Sequence, residues 1–131
     1  MPHIAENLID LARYPIHEAG PARDAFIAHV RNELAEDGCA VIKGFLSPQG
    51  IAALTAEADS VSGHGHRSFN RTNVYFTADD PTLPAGHPKR QFFDRSNSFI
   101  PADNFPTSGP LRTVHDFAAF DPFIRDCLQE P

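Results

Sequence analysis

The stretch Ala35-Glu-Asp-Gly-Cys-Ala-Val-Ile-Lys-Gly-Phe-Leu-Ser-Pro-Gln-Gly-Ile51 decides how the chain is read. Asp37-Gly38 is a helix stop, because Gly38 can take the left-handed conformation that closes a helix at no steric cost. Residues 39–45 are short, apolar and rich in β-formers, which predicts a strand. Ser47-Pro48 starts the next helix: the Ser oxygen caps free N–H groups and Pro fits the first helical position.

Working outward, Pro21 opens a helix to about Glu36, with Phe26, Ile27, Val30 and Leu34 on one face at helical spacing. Downstream, Pro48–Val61 carries Ile51, Leu54, Ala58 and Val61 on one stripe. Residues 1–20 give only a weak helical pattern through Ile4, Leu8, Ile9 and Leu11, stopped near Pro15, and read as a poorly defined arm. Residues 62–68, Ser-Gly-His-Gly-His-Arg-Ser, read as a flexible turn. Two further strands are expected, at residues 73–77 and 90–100. On the latter, Gln91, Phe93, Arg95, Asn97 and Phe99 point one way, and Arg90, Phe92, Asp94, Ser96 and Ser98 the other. Residues 78–88 and 101–109 are Pro-rich loop. Pro110 opens a helix with Leu111, Val114, Phe117 and Ala118. Asp121-Pro122 starts another, with Asp121 as cap and Phe123, Ile124, Cys127 and Leu128 as its apolar face.

The order of elements predicts one α+β domain over residues 1–131, in four parts: 1–20, 21–61, 62–109 and 110–131. Six of the 12 prolines fall between Pro81 and Pro110, and nine of the 11 Phe lie after His66. The second half is therefore aromatic and loop-rich, and the first half helical. Net charge is −6, from 11 basic and 17 acidic residues, and no basic run interleaves with the aromatics. That argues against a nucleic-acid surface. No run approaches the roughly 18 apolar residues of a membrane span, and the N-terminus has no signal-peptide pattern. A cytoplasmic protein is expected. Cys39 and Cys127 both sit in apolar segments and read as buried free thiols.

The helix, then Asp37-Gly-Cys-Ala-Val-Ile-Lys-Gly-Phe-Leu-Ser47, then helix resembles the N-terminal entry of Fe(II)- and 2-oxoglutarate-dependent oxygenases of the phytanoyl-CoA dioxygenase-like group. The resemblance runs from Pro21 onward and covers only the N-terminal part of that family's domain. It implies the N-terminal helices and first strands of a double-stranded β-helix (jelly roll), incomplete here. Three expected strands cannot close an eight-strand jelly roll, which takes on the order of 80–100 residues of strand and turn. It also implies a parent enzyme that uses Fe(II) and 2-oxoglutarate to oxidise a small-molecule substrate, hydroxylation being the usual outcome and halogenation or desaturation the variants. The other reading is a stand-alone, non-catalytic α+β module that binds a partner or a small molecule.

The facial triad of that class needs two His and a carboxylate, two of them as His-x-Asp or His-x-Glu on one strand face. None of the seven histidines has Asp or Glu two residues on. The iron and 2-oxoglutarate ligands are therefore expected after Pro131, and the chain alone is expected to be inactive and cofactor-free. His64-Gly-His66 is the only His-x-His pair; its flanking glycines favour solvated loop histidines over metal ligands. His115 and Asp116 are adjacent, so on a helix their side chains diverge by about 100°, and Asp116 reads as a surface residue. Arg71, Arg90, Arg95 and Asn97 sit among Phe on strand-like backbone. They read either as the lining of a substrate mouth or as ordinary edge-strand polar residues; the resemblance places their region beside the oxygenase active site. Apolar faces on the last two helices predict self-association, or partial disorder of residues 78–88 and the last helix.

Overall fold

A computed structural model describes residues 3–129. It is α+β: five α-helices and one two-stranded antiparallel sheet. The chain divides into two compact units, one of Met1–Ser60 with Phe105–Pro131, the other Val61–Asn104.

The first unit is helical: α1 (Ala5–Leu8), α2 (Pro21–Asp37), α3 (Pro48–Val61, to within its last residue), α4 (Pro110–His115) and α5 (Phe120–Leu128). Both signals that frame α2 and α3 act as expected. Gly38 closes α2 at φ +72°, its N–H donating to the Leu34 carbonyl. Ser47 caps α3 by accepting from the Gly50 N–H at 2.9 Å. Its hydroxyl also donates to the Asn7 carbonyl, and its N–H to that of Leu8, which ties the start of α3 to α1. Gly50 is buried at this seam, where any Cβ would press into the Leu8 backbone.

The segment between those helices corrects the expected strand. Residues 39–45 are irregular, with a turn at Gly44 (φ +74°) and a single bridge, Ile9 to Leu46. A strand is defined by the ladder it makes with a neighbour, and here the adjoining segment bends away after one bridge. The Asp10 N–H donates to the Phe45 carbonyl at 2.9 Å to complete this short seam. The arm expected at residues 1–20, of which residues 3–20 are described, instead contributes to the core. Leu8, Ile9 and Ile16 are almost fully buried, with Ala5 and Leu11 beside them.

Around these pack Ile27 and Val30 of α2 and Phe123 and Cys127 of α5. The Phe26 and Phe123 rings stack at 5.4 Å and 8°, and burial of a Phe is worth roughly 3 kcal/mol. The last helix is thus covered where it was expected to be bare, leaving Ile124 and Leu128 exposed. It starts at Phe120, so Asp121 lies in its first turn and is not its cap. The expected stripe of α3 is half open: Ile51 and Ala58 are exposed, Leu54 is half-buried and Val61 is buried. Cys39 is exposed, contrary to expectation, while Cys127 is buried.

In the second unit, strand β1 is His66–Thr72, its first three residues falling within the flexible turn expected at residues 62–68, and β2 is Phe93–Phe99. The strand expected at residues 73–77 is a turn, and Asn73 is the reason. Its side chain is completely buried. Its Oδ1 accepts from the Tyr75 and Thr77 N–H groups, and its Nδ2 donates to Thr77 and, at 2.6 Å, to the Lys89 carbonyl. A local side-chain partner for those backbone groups competes with any ladder.

Candidate functional site

The polar residues singled out in sequence gather in the second unit, and the register of its sheet sorts them. Pairing runs antiparallel from His66 opposite Phe99 to Thr72 opposite Phe93. Directly opposed residues share a face. One face carries His66, Ser68, Asn70 and Thr72 with Phe93, Arg95, Asn97 and Phe99. The other carries Arg67, Phe69 and Arg71 with Asp94, Ser96 and Ser98. The alternation expected along residues 90–100 is therefore present over Phe93–Phe99, while Arg90, Gln91 and Phe92 lie before the strand.

The four candidates do not converge. Arg71 stands opposite Asp94 on one face, while Arg95 and Asn97 lie on the other. The Arg95 guanidinium sits 5.8 Å from the centre of the Phe76 ring, within cation–π range. Phe76 is held at φ +56°, a conformation rare outside glycine, inside the Asn73 turn. Asn97 accepts a short hydrogen bond from the Ser68 hydroxyl beside it. Arg90 lies outside the sheet in a 3-10 turn, Pro88–Arg90. Its guanidinium grips Asp79 through two hydrogen bonds, of 2.9 and 3.2 Å, and donates to the Leu83 carbonyl. The bond to Asp79 raises the Arg90 pKa further above its usual value. Arg90 thus braces the Pro-rich loop.

His64 and His66 are both exposed. His66 opens β1 with its ring 5.6 Å from that of Phe99, so it belongs to the sheet rather than to a loop. Among the described residues no group of three or more His, Cys, Asp or Glu is placed to hold a metal ion. These residues do not fit an iron centre, which needs three protein ligands facing one point.

One cavity of about 440 Å³ opens on the sheet, lined by Ser62, Gly65, Arg67, Ser96, Asn97 and Ser98. Of the four residues picked out in sequence, only Asn97 borders it. Arg67, Ser96 and Ser98 were overlooked. The period-two spacing of Ser96 and Ser98 was the available signal, but the strand bearing Arg67 was read as a turn.

In the first unit, His115 Nδ1 and Asp116 Oδ1 meet at 2.8 Å. The expected divergence fails because Asp116 is the C-cap, outside regular helix geometry at φ −89° and ψ 9°. Asp116 also accepts from Arg112 Nε at 3.0 Å. The His115 bond first, then Arg112, lower its pKa. No helix among the described residues is long and apolar enough to cross a membrane. No family model, curated protein or solved structure matches the chain.

Proposed function

We propose that the chain is the N-terminal portion of a non-haem Fe(II)/2-oxoglutarate-dependent dioxygenase, similar to the phytanoyl-CoA dioxygenase group, that hydroxylates a small-molecule substrate. The observation that carries the reading is the entry motif from Asp37 to Ser47. Its two framing features, the left-handed Gly38 cap and the Ser47-capped α3, support it. On this reading iron and 2-oxoglutarate are bound by residues after Pro131, and residues 3–129 supply a helical base and the edge of a sheet. The substrate C–H bond is oxidised where those ligands are. The exposed Ile124 and Leu128 of α5 offer a surface for self-association. We place the protein in the cytoplasm, acting without nucleic acid.

The alternative is a stand-alone, non-catalytic α+β binding or interaction module. The coding sequence after Pro131 separates the two. A strand-like segment with His-x-Asp or His-x-Glu, then a distal His and an Arg, is the expected finding. A stop codon directly after Pro131 sinks the oxygenase reading. Anaerobic calorimetry of the 131-residue chain with Fe(II) should show no tight site. A tight site, strengthened by 2-oxoglutarate and lost in His64→Ala/His66→Ala, would bring iron binding back to this segment.

A further inference from the structure

We propose that the cavity at the β1–β2 sheet is a binding site for a small oxyanion, a carboxylate or phosphate group, held by Arg67, Ser96 and Ser98. The inference stands apart from the dioxygenase reading and uses none of its cofactors.

Four observations support it. Arg67 and Ser98 are directly opposed across the strands, and Ser96 follows two residues along the same face. Their donors therefore open in one direction. None of the three side chains has a hydrogen-bond or ion-pair partner among the described residues, whereas Arg90 in the same unit is paired with Asp79. The residues lining the cavity include no carboxylate to compete for the guanidinium. Residues 61–104 carry five Lys or Arg against four Asp or Glu, within a chain of net charge −6.

Gly65 leaves one wall of the cavity clear of a side chain. Its backbone is ordinary extended, φ −67° and ψ 135°, so glycine is not needed for conformation. A Cβ there would stand 2.8 Å from the Ser98 hydroxyl and crowd the pocket wall. A guanidinium offers two parallel N–H bonds to a planar or tetrahedral oxyanion, and two hydroxyls can complete its coordination.

The test is a titration of the 131-residue chain, followed by amide NMR shifts, with sodium phosphate and separately with sodium succinate. Sodium chloride at matched ionic strength is the control. Saturable shifts at Arg67, Ser96 and Ser98 are expected with at least one oxyanion and not with chloride; the tighter arm tells phosphate from carboxylate. Arg67→Gln should weaken binding about tenfold or more. Gly65→Ala should weaken it with no change of charge. Arg71→Gln, on the same face but outside the cavity, should leave it unchanged. Preserved amide spectra show that each variant is folded. Shifts that do not saturate, an equal response to chloride, or equal weakening by Arg71→Gln and Arg67→Gln would overturn the assignment.

Discussion

The Arg23 guanidinium on α2 lies 2.6 Å from the Asp126 carboxylate on α5, joining residues 103 positions apart. The same guanidinium donates through Nε to the Ile16 carbonyl at 3.1 Å. Arg31, eight residues along α2, donates through Nε and Nη2 to the Asp126 carbonyl, which at the end of α5 also accepts a longer bond, of 3.4 Å, from the Gln129 N–H. Two arginines of one helix thus fix the last turn of another. Arg23→Ala should cost about 1–2 kcal/mol, since the arginine is mostly buried and the aspartate half exposed. Arg23→Lys should not restore it, because one ammonium cannot reproduce the fork. Denaturant midpoints of the two variants decide this; full recovery by Lys would contradict it.

Asn73 should be the most sensitive polar position of the second unit. Asn73→Ala removes its buried hydrogen bonds and leaves the Lys89 carbonyl unpaired, at a cost of about 2–4 kcal/mol. Asn73→Asp keeps the shape but turns two donors into acceptors facing the Thr77 and Lys89 carbonyls. It should be more damaging at neutral pH than in acid, where a protonated carboxyl donates again. Hydrogen exchange of the amides of β1 and β2 reads both; unchanged protection would refute the role.

The two cysteines should react in sequence. Cys39 is exposed, and Cys127 is buried with its thiol pKa raised, first by desolvation. Only the thiolate is nucleophilic. A thiol reagent at neutral pH should modify Cys39 promptly and Cys127 only as the helical unit opens, in proportion to added denaturant. Equal rates in the native state would mean that α5 does not cover Cys127.

Acid should loosen both units through two exposed carboxylates. Asp116, held by His115 and Arg112, and Asp80, held by the Thr82 hydroxyl and amide, are both lowered from the ordinary 3.8. A carboxylate lowered by folding contributes stability above its unfolded pKa and loses it as pH falls through the folded one. Stability should therefore decline below about pH 4. Asp116→Asn should be less stable than the parent at neutral pH and converge with it in strong acid. Parallel pH profiles for parent and variant would exclude the contribution of Asp116.

The local signals written in sequence decided where α2 ends and where α3 begins, though not the start of α5. Gly38 stops α2 because glycine alone enters the left-handed region freely, and Ser47-Pro48 starts α3 because a hydroxyl and a preset φ suffice. Helical spacing likewise placed Ile27 and Val30 inside. These effects reach only a few residues. Strands need a partner, and pairing is decided at a distance. Residues 39–45 have the composition of a strand but form no ladder, the one bridge falling just beyond them at Leu46, while His66–Thr72, polar and Gly-preceded, finds seven partners on β2. The same distance effect made the candidate site. Arg67 meets Ser98 only because the strands align that way, and Arg71 and Arg95 part to opposite faces for the same reason. Composition set the chemistry available to this protein; the register of one antiparallel pair decided which groups could act together.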